Sequence, residues 1–399
     1  MTPALRPPST DANCAIAPPL RILHVVPSYL PAVRYGGPIY SVHGLCKALA
    51  ARGHAVEVFT TNVDGPGLSD VPVGAPVDMD GVGVWYFACG VGRRLYRSPA
   101  MGAALRARVA TFDVVHMHSV FLWPTLAAAR AAAAAGVPYV VAPRGMLVGD
   151  LITRKSRALK SAWIALFERR TLAGAAALHM TSAIECAEYR NLGLPVRRMV
   201  EIPNGIDPPP ATTAPSRPRG GRPIVLFLGR LSWKKGLDRL VPAMAYVPEA
   251  ELVIAGNDDE GYTATIERLA REAGVADRVR LVGHVQGQDK WDLMRSATVF
   301  ALASHSENFG NTVLEAMACG VPVVVTPEVG LAEEVAMCGA GIVVEGEART
   351  FGEAIAGLIR DEPRRSALGT AGAVAAQDRF SWAAVGKATE RLYRDLAQT

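Results

Sequence analysis

Short apolar runs recur along this 399-residue chain, and most are followed by turn residues and then a stretch of helical periodicity. Arg21–Val26 predicts a first strand, and Tyr40–Arg52 a helix closed by Gly53. Val56–Thr60, Val114–His118, Tyr139–Ala142, Ala176–Thr181 and Met199–Pro203 continue the strand series, with an Ala-rich helix between the second and third of these. The segment 208–221 then breaks the pattern with five prolines and two glycines and reads as a linker. Beyond it the pattern restarts: Pro223–Leu228, Glu251–Ala255, Arg280–Val282, Val299–Leu302, Pro322–Val325 and Gly341–Val344. Alternating strands and helices imply parallel α/β layers. The expected fold is therefore α/β, with two Rossmann-like, doubly wound domains facing a cleft. In such sheets ligands bind beyond the carboxyl ends of the strands. The expected boundaries are a disordered segment 1–20, a first domain 21–207, a linker 208–222 and a second domain 223–380.

Composition narrows the class. Half of the residues are hydrophobic and a fifth are charged, as in a globular soluble chain. No apolar run reaches the roughly 18 residues of a membrane span, and the first 20 residues lack a signal-peptide core. The six cysteines are scattered without a CxxC pair, which suits reduced cytoplasmic thiols better than a disulfide frame or a zinc site. The net charge of +5 is uneven. Residues 1–204 carry 21 Lys+Arg against 12 Asp+Glu, and residues 205–399 carry 21 against 25. A basic first half suggests an anionic partner. Nucleic acid is disfavoured, because the cations are not interleaved with aromatics and no binding signature is present.

Candidate chemistry concentrates in the second half. Glu307 and Glu315 stand with seven residues between them in Glu307-Asn308-Phe309-Gly310-Asn311-Thr312-Val313-Leu314-Glu315. The first acid falls in a Gly-containing loop and the second about two turns into the following helix. The helix start between them offers unpaired amides and a positive dipole end, which together make an anion site. Gly229-Arg230-Leu231-Ser232-Trp233-Lys234-Lys235-Gly236 follows the first strand of the second domain, and Arg230 and Lys235 could hold a diphosphate there. Its spacing is not that of the GxxxxGK[ST] phosphate loop. In the first domain Gly36-Gly37-Pro38 lets backbone approach a phosphate, and it is not the GxGxxG fingerprint of NAD or FAD sites. Taken singly, the glycine turn reads as a turn, the basic loop as solvated charge and the acids as surface carboxylates.

Taken together, the Glu-x7-Glu element, the basic Gly-Arg-Leu loop, the paired glycines and the two-domain layout resemble the retaining glycosyltransferases of GT-B fold, in the family 4 group. The resemblance covers the chain from about Arg21 to its end. It implies a nucleotide-diphosphate sugar donor, UDP- or GDP-linked, with no bound metal or other cofactor. By position, Glu315 would bond the ribose hydroxyls, and Arg230 and Lys235 would neutralise the departing diphosphate. Glu307, with the amides of Asn308, Phe309 and Gly310, would contact the donor sugar. Asn311, Thr312 and Val313 belong to the same donor-binding element, the latter two through amides at the phosphate. Gly36 and Gly37 would approach the diphosphate from the other domain, and the backbone at Val285 would read the base. The resemblance also implies that the last helix, from Arg379-Phe380-Ser381-Trp382 onward, crosses back so that 381–399 join the first domain. One departure stands out: Arg144, in Val140-Val141-Ala142-Pro143-Arg144, is expected where many relatives place a strand-end histidine facing the sugar. Arg144 is always charged and cannot be a general base. It is a candidate for binding an acidic sugar or a phosphate. His116 and His118 are candidate cleft residues or structural ones.

The acceptor implied is a glycan or a lipid-linked glycan, as in polysaccharide or glycoconjugate synthesis. A GT-B sugar-nucleotide epimerase and a non-catalytic nucleotide-sugar-binding protein are the alternatives. Asp78-Met79-Asp80 matches a DxD metal pattern but sits among glycines and prolines, and no metal role is assigned to it. The segment 154–170 carries six cations and one acid, with Leu159, Ala162, Trp163 and Leu166 on one helical face. It is either an ordinary surface helix or one that lies on an anionic membrane from the cytoplasmic side. If the latter, the protein co-sediments with anionic vesicles at low salt and is released as salt rises; full retention in the supernatant at low salt removes this reading.

Overall fold

The apolar runs form two sheets in the computed structural model, which describes residues 18–32, 36–90, 92–147, 161–211, 221–258 and 260–398. The first sheet takes strands β1 (Arg21–Val25), β2 (Ala55–Thr61), β5 (Pro76–Met79), β6 (Val82–Phe87), β7 (Val114–His118), β8 (Tyr139–Ala142), β9 (Ala177–Met180) and β10 (Met199–Glu201). A separate hairpin pairs β3 (Val63–Asp64) with β4 (Gly67–Leu68). The sheet order is β10-β9-β8-β7-β1-β2-β6-β5, parallel throughout except for the antiparallel β5–β6 edge. The second sheet takes β11 (Ile224–Leu228), β12 (Glu251–Ala255), β13 (Val279–Gly283), β14 (Val299–Leu302), β15 (Val323–Val325) and β16 (Gly341–Val343) in the order β13-β12-β11-β14-β15-β16, all parallel. Both are doubly wound Rossmann-like sheets. Their strand order reverses between β1 and β7 in the first and between β11 and β14 in the second. These reversals open crevices at the carboxyl ends of the strands. The central strands, such as β7, β8, β11, β12 and β14, are buried on both faces, which is why they read as continuous apolar runs, whereas the edge strands β5, β10, β13 and β16 are partly exposed.

The sequence pattern missed the β5–β6 hairpin. Asp80 and Gly81 both have positive φ (56° and 80°), the two-residue Asp-Gly turn that joins antiparallel strands. Asp78 therefore lies in a strand, and Asp80 pairs with His43, whose Nε2 is 2.9 Å from Asp80 Oδ2. Of the basic segment, 161–170 are described and 154–160 lie outside the described residues. Leu166 is exposed, but Trp163 turns to Glu168, donating from Nε1 at 2.9 Å, and Phe167 lies under the Arg130 guanidinium. The apolar face is thus partly committed to the protein. No helix among the described residues is long and apolar enough to cross a membrane. Segment 1–17 and linker residues 212–220 also lie outside them.

The helix Glu362–Phe380 ends at Ser381, whose hydroxyl caps the helix Trp382–Ala397 by accepting from the Ala384 amide. That last helix leaves the second domain and packs on the first-domain helix Gly37–Ala51, with the Trp382 ring against Gly44 and Gly205. Its Tyr393 enters a buried histidine cluster under the β1/β7 reversal. Ile202 O can only accept, so His179 Nε2 donates to it (2.8 Å) and His179 Nδ1 accepts from His116 Nε2 (3.3 Å). His116 Nδ1 then accepts from the Tyr393 hydroxyl (2.6 Å). Likewise Arg144 donates to His118 Nδ1 (3.3–3.4 Å), so His118 Nε2 donates to His24 Nδ1 (2.9 Å). Every ring is neutral in this arrangement.

Burial, reinforced by the Arg144 charge, lowers the pKa of His24 and His179 to about 3, and that of His116 and His118 well below 6.5. A depressed folded pKa makes the unfolded chain bind more protons below its pKa near 6.5. The stability contribution is complete above that value and is lost as pH falls toward 3. His24 and His179 each remove about 1 kcal/mol between pH 6.5 and 5.5, and His116 and His118 act in the same direction. Urea unfolding should accordingly shift to much lower denaturant between pH 7 and 5.5. A flat midpoint over that range contradicts the neutral-cluster assignment.

Candidate active site

At the reversal of the second sheet two loops meet. From β11 the chain turns through Gly229–Gly236, and from β14 it runs through 303–310 into the helix Asn311–Ala318. Gly236 has φ +66°, and a Cβ there would stand 1.7 Å from the Ala303 carbonyl oxygen, so only glycine lets the loops touch. The Lys234 carbonyl accepts from the His305 amide at 2.8 Å. This contact sets Lys235 beside Glu307, and the two form a part-buried ion pair. Glu307 is itself pinned: its amide donates to Glu328 O (3.1 Å) and its carbonyl accepts from the Gly330 amide (2.8 Å). Arg230 is exposed and has no ion-pair partner among the described residues. Of the two cations expected to hold a diphosphate, Lys235 is thus engaged by Glu307 and Arg230 stands exposed. Burial, then Arg230, lower the pKa of neighbouring Lys234.

The helix start follows at once. Gly310, at φ +102°, caps the helix Asn311–Ala318. The amides of Asn308, Phe309, Gly310, Asn311 and Thr312 have no acceptor among the described residues, whereas the Val313 amide donates to Gly310 O at 2.9 Å. Val313 therefore drops out as an amide donor, and its side chain is core. Phe309 is also core, 6.4 Å from Phe380 between ring centres, leaving its backbone for the cleft. Because the helix starts at Asn311, Glu315 lies just past the first turn rather than two turns in. One of its oxygens meets Lys290 Nζ at 2.8 Å, and the other is buried without a partner among the described residues. Val285 follows β13 and is half-buried against the second-domain core.

The first domain closes on this helix start. Gly36 (φ +71°) caps the helix Gly37–Ala51, and a Cβ on Gly37 would lie 2.5 Å from Asn311 Nδ2. Asn311 Oδ1 accepts from Asn204 Nδ2 (3.0 Å), and Asn204 Oδ1 accepts from Arg144 (2.7 Å). Asn308 donates to Thr181 Oγ1 (2.8 Å), and its carbonyl accepts from Ser182 Oγ (2.8 Å). The side chains of Asn308 and Asn311 are thus interdomain contacts. Among the described residues their backbone amides have no acceptor, and Asn308 Oδ1 is also buried without a partner.

Arg144 also needs correcting. It follows β8 with φ +56° and reaches under the cleft to His118 and Asn204. His118 is the last residue of β7, at the reversal point, and Arg144 donates to its Nδ1. Burial lowers the Arg144 pKa, and no carboxylate hydrogen-bonds it among the described residues. His24, His116 and His118 are close enough to gather on an ion. Their nitrogens are already committed to one another, His179, Tyr393 and Arg144, except for His24 Nε2. The sequence reading missed Lys290 and Asn204. Asn204 carries a turn signal, Pro203-Asn204-Gly205, whereas Lys290 has none.

The family model described as glycosyl transferases group 1 matches residues 211–374, and the glycosyl transferase 4-like domain matches 36–205. The chain is 32% identical over 387 residues to a D-inositol 3-phosphate glycosyltransferase of Xylanimonas cellulosilytica, covering 87% of this chain and 88% of that one. A GDP-mannose-dependent monoacylated alpha-(1-6)-phosphatidylinositol monomannoside mannosyltransferase of Corynebacterium glutamicum is 33% identical over 177 residues, 41% of this chain and 45% of that one. Among solved structures, sucrose-phosphate synthase of Thermosynechococcus elongatus superposes with TM-score 0.75 at 23% identity, covering 94% and 99% of the two chains. HepE of Anabaena in complex with UDP-glucose does so with TM-score 0.71 at 19%, covering 94% and 100%. The loops at the second reversal point and the whole-length match agree: the chain belongs to the family 4 glycosyltransferases of GT-B fold, the glycosyl transferases group 1.

Proposed function

We propose that this glycosyltransferase moves a sugar from a UDP- or GDP-linked donor, with retention of anomeric configuration and without a metal, to a hydroxyl of a glycan or lipid-linked acceptor in polysaccharide or glycoconjugate synthesis. The observation that carries the reading is the unpaired helix start at Asn311, flanked by the Lys235–Glu307 and Lys290–Glu315 pairs and faced by Gly36 and Gly37. A diphosphate at that start meets the free amides of Asn311 and Thr312, with Arg230 as the mobile cation. Lys235 keeps two N–H groups besides the one that Glu307 uses, so one ammonium serves both carboxylate and phosphate. Glu307 then offers its other oxygen to the donor-sugar hydroxyls, and Glu315 takes the ribose.

Negative charge on the leaving diphosphate grows in the transition state, and fixed amides and cations stabilise it most there. The acceptor hydroxyl attacks the face the diphosphate leaves, and a phosphate oxygen receives its proton. No side chain need act as nucleophile. His118 and Arg144 underlie the cleft from the first domain. A guanidinium among neutral partners supports an anionic group on the sugar or acceptor as its counter-charge. The basic first half and the exposed Leu166 beside Arg169 and Arg170 support a role at the cytoplasmic face of a membrane.

Transfer assays with UDP-, GDP- and ADP-sugars should show turnover that EDTA does not change. Glu307→Ala and Lys235→Ala should each lower kcat by about 10²–10³-fold, while Asp78→Ala leaves it near the parent value. Strong EDTA inhibition removes the metal-free mechanism, and a fully active Glu307→Ala enzyme overturns the site assignment.

A further inference from the structure

Lys290 is the fourth residue of the helix Gly287–Ser296, which opens directly after the turn that carries Val285. Its ammonium lies 2.8 Å from Glu315 Oε1 and 4.2 Å from the centre of the Trp291 ring. Both side chains of the pair are about four-fifths buried, at 23% and 20% exposure. The contact bridges two helices 25 residues apart in sequence. A cation held by a carboxylate and an aromatic face has little freedom. It therefore fixes one carboxylate oxygen and with it the plane of the other. That other oxygen, Glu315 Oε2, is buried without a donor among the described residues. A buried ionised acceptor left unpaired is unfavourable, and it is satisfied by a ligand that brings hydroxyl donors.

Charge points the same way. A bare carboxylate one helical turn from a bound diphosphate would repel it. With Lys290 attached, Glu315 contributes hydrogen-bond acceptance without net negative charge. Lys235 does the same for Glu307 at the other end of the helix start.

We propose that Lys290 is a positioning residue for the donor nucleotide: it holds the Glu315 carboxylate so that Oε2 accepts from the ribose hydroxyls, and it cancels the charge of that carboxylate near the diphosphate. The inference rests on the reading of Glu315 as the ribose contact and adds the residue that makes that contact work.

The test is calorimetric binding of UDP and of 2′,3′-dideoxy-UDP to the full chain, with the GDP pair run in parallel. The proteins are wild type, Lys290→Met and Lys290→Arg, each with its melting temperature. Wild type should prefer the hydroxylated nucleotide by about 10- to 100-fold, the range for hydrogen bonds to a charged group. Lys290→Met should lose most of that preference: the uncompensated Glu315 charge weakens both nucleotides, and the lost ribose contact weakens UDP about 10-fold more than the dideoxy nucleotide. Lys290→Arg should restore most of it. If Lys290→Met weakens both nucleotides equally, or leaves the preference intact, the proposal is overturned while Glu315 keeps its role. If wild type shows no preference, the ribose reading of Glu315 falls, and this inference with it. If wild type binds neither nucleotide, the donor reading itself is overturned.

Discussion

The start of the helix Asn311–Ala318 is the constraint around which both domains are arranged. Its first amides have no acceptor among the described residues, and its dipole adds positive character at that point. Gly310 caps it without a side chain, and Gly37 gives the first domain room to approach within contact distance of Asn311. Asn204 ties the Asn311 side chain to the Arg144–His118–His24 chain, so the buried cluster of one domain and the anion site of the other are parts of one hydrogen-bond network.

That network explains why buried polar groups are tolerated in the first-domain core. Five neighbouring aromatic heterocycles and phenols could have been a liability, because an unsatisfied buried N–H or acceptor is unfavourable. Each nitrogen of His116, His118 and His179 has a partner, and the directions are forced by the Ile202 carbonyl at one end and the Arg144 guanidinium at the other. The exception, His24 Nε2, is the one orphan of the four rings. Tyr393 brings the far C-terminus into this order, so the returning helix contributes polar specificity as well as apolar area.

Much of this was legible in the chain. Both doubly wound sheets follow from apolar runs, continuous in the central strands because these are buried on two faces, whereas the point at which each strand order reverses was not readable from the runs. The Glu-x7-Glu spacing and the Gly-Arg-Leu loop locate the site because their geometry is local: a loop, a helix start and a strand end. What was not legible depends on residues far apart in sequence. The 2.8 Å pair of Lys290 with Glu315 needs the crossing of two helices, and the reach of Arg144 beneath β7 needs a left-handed backbone that no neighbouring residue type announces. The β5–β6 hairpin was readable from its Asp80-Gly81 turn, and reading those residues as a loop missed it.

The division of charge at the site has a mechanistic consequence. Each of the two acids is matched by its own lysine; on the proposed donor reading, the acids then do not oppose a diphosphate and the lysines are in place before it binds. Preorganised charge stabilises a transition state without the cost of reorganising at the moment of reaction. On that reading the surplus positive character comes from the helix amides and the exposed Arg230. The amides, fixed in the backbone, favour the phosphate position throughout the reaction, and the exposed guanidinium is the cation left to meet the charge that grows on the leaving group.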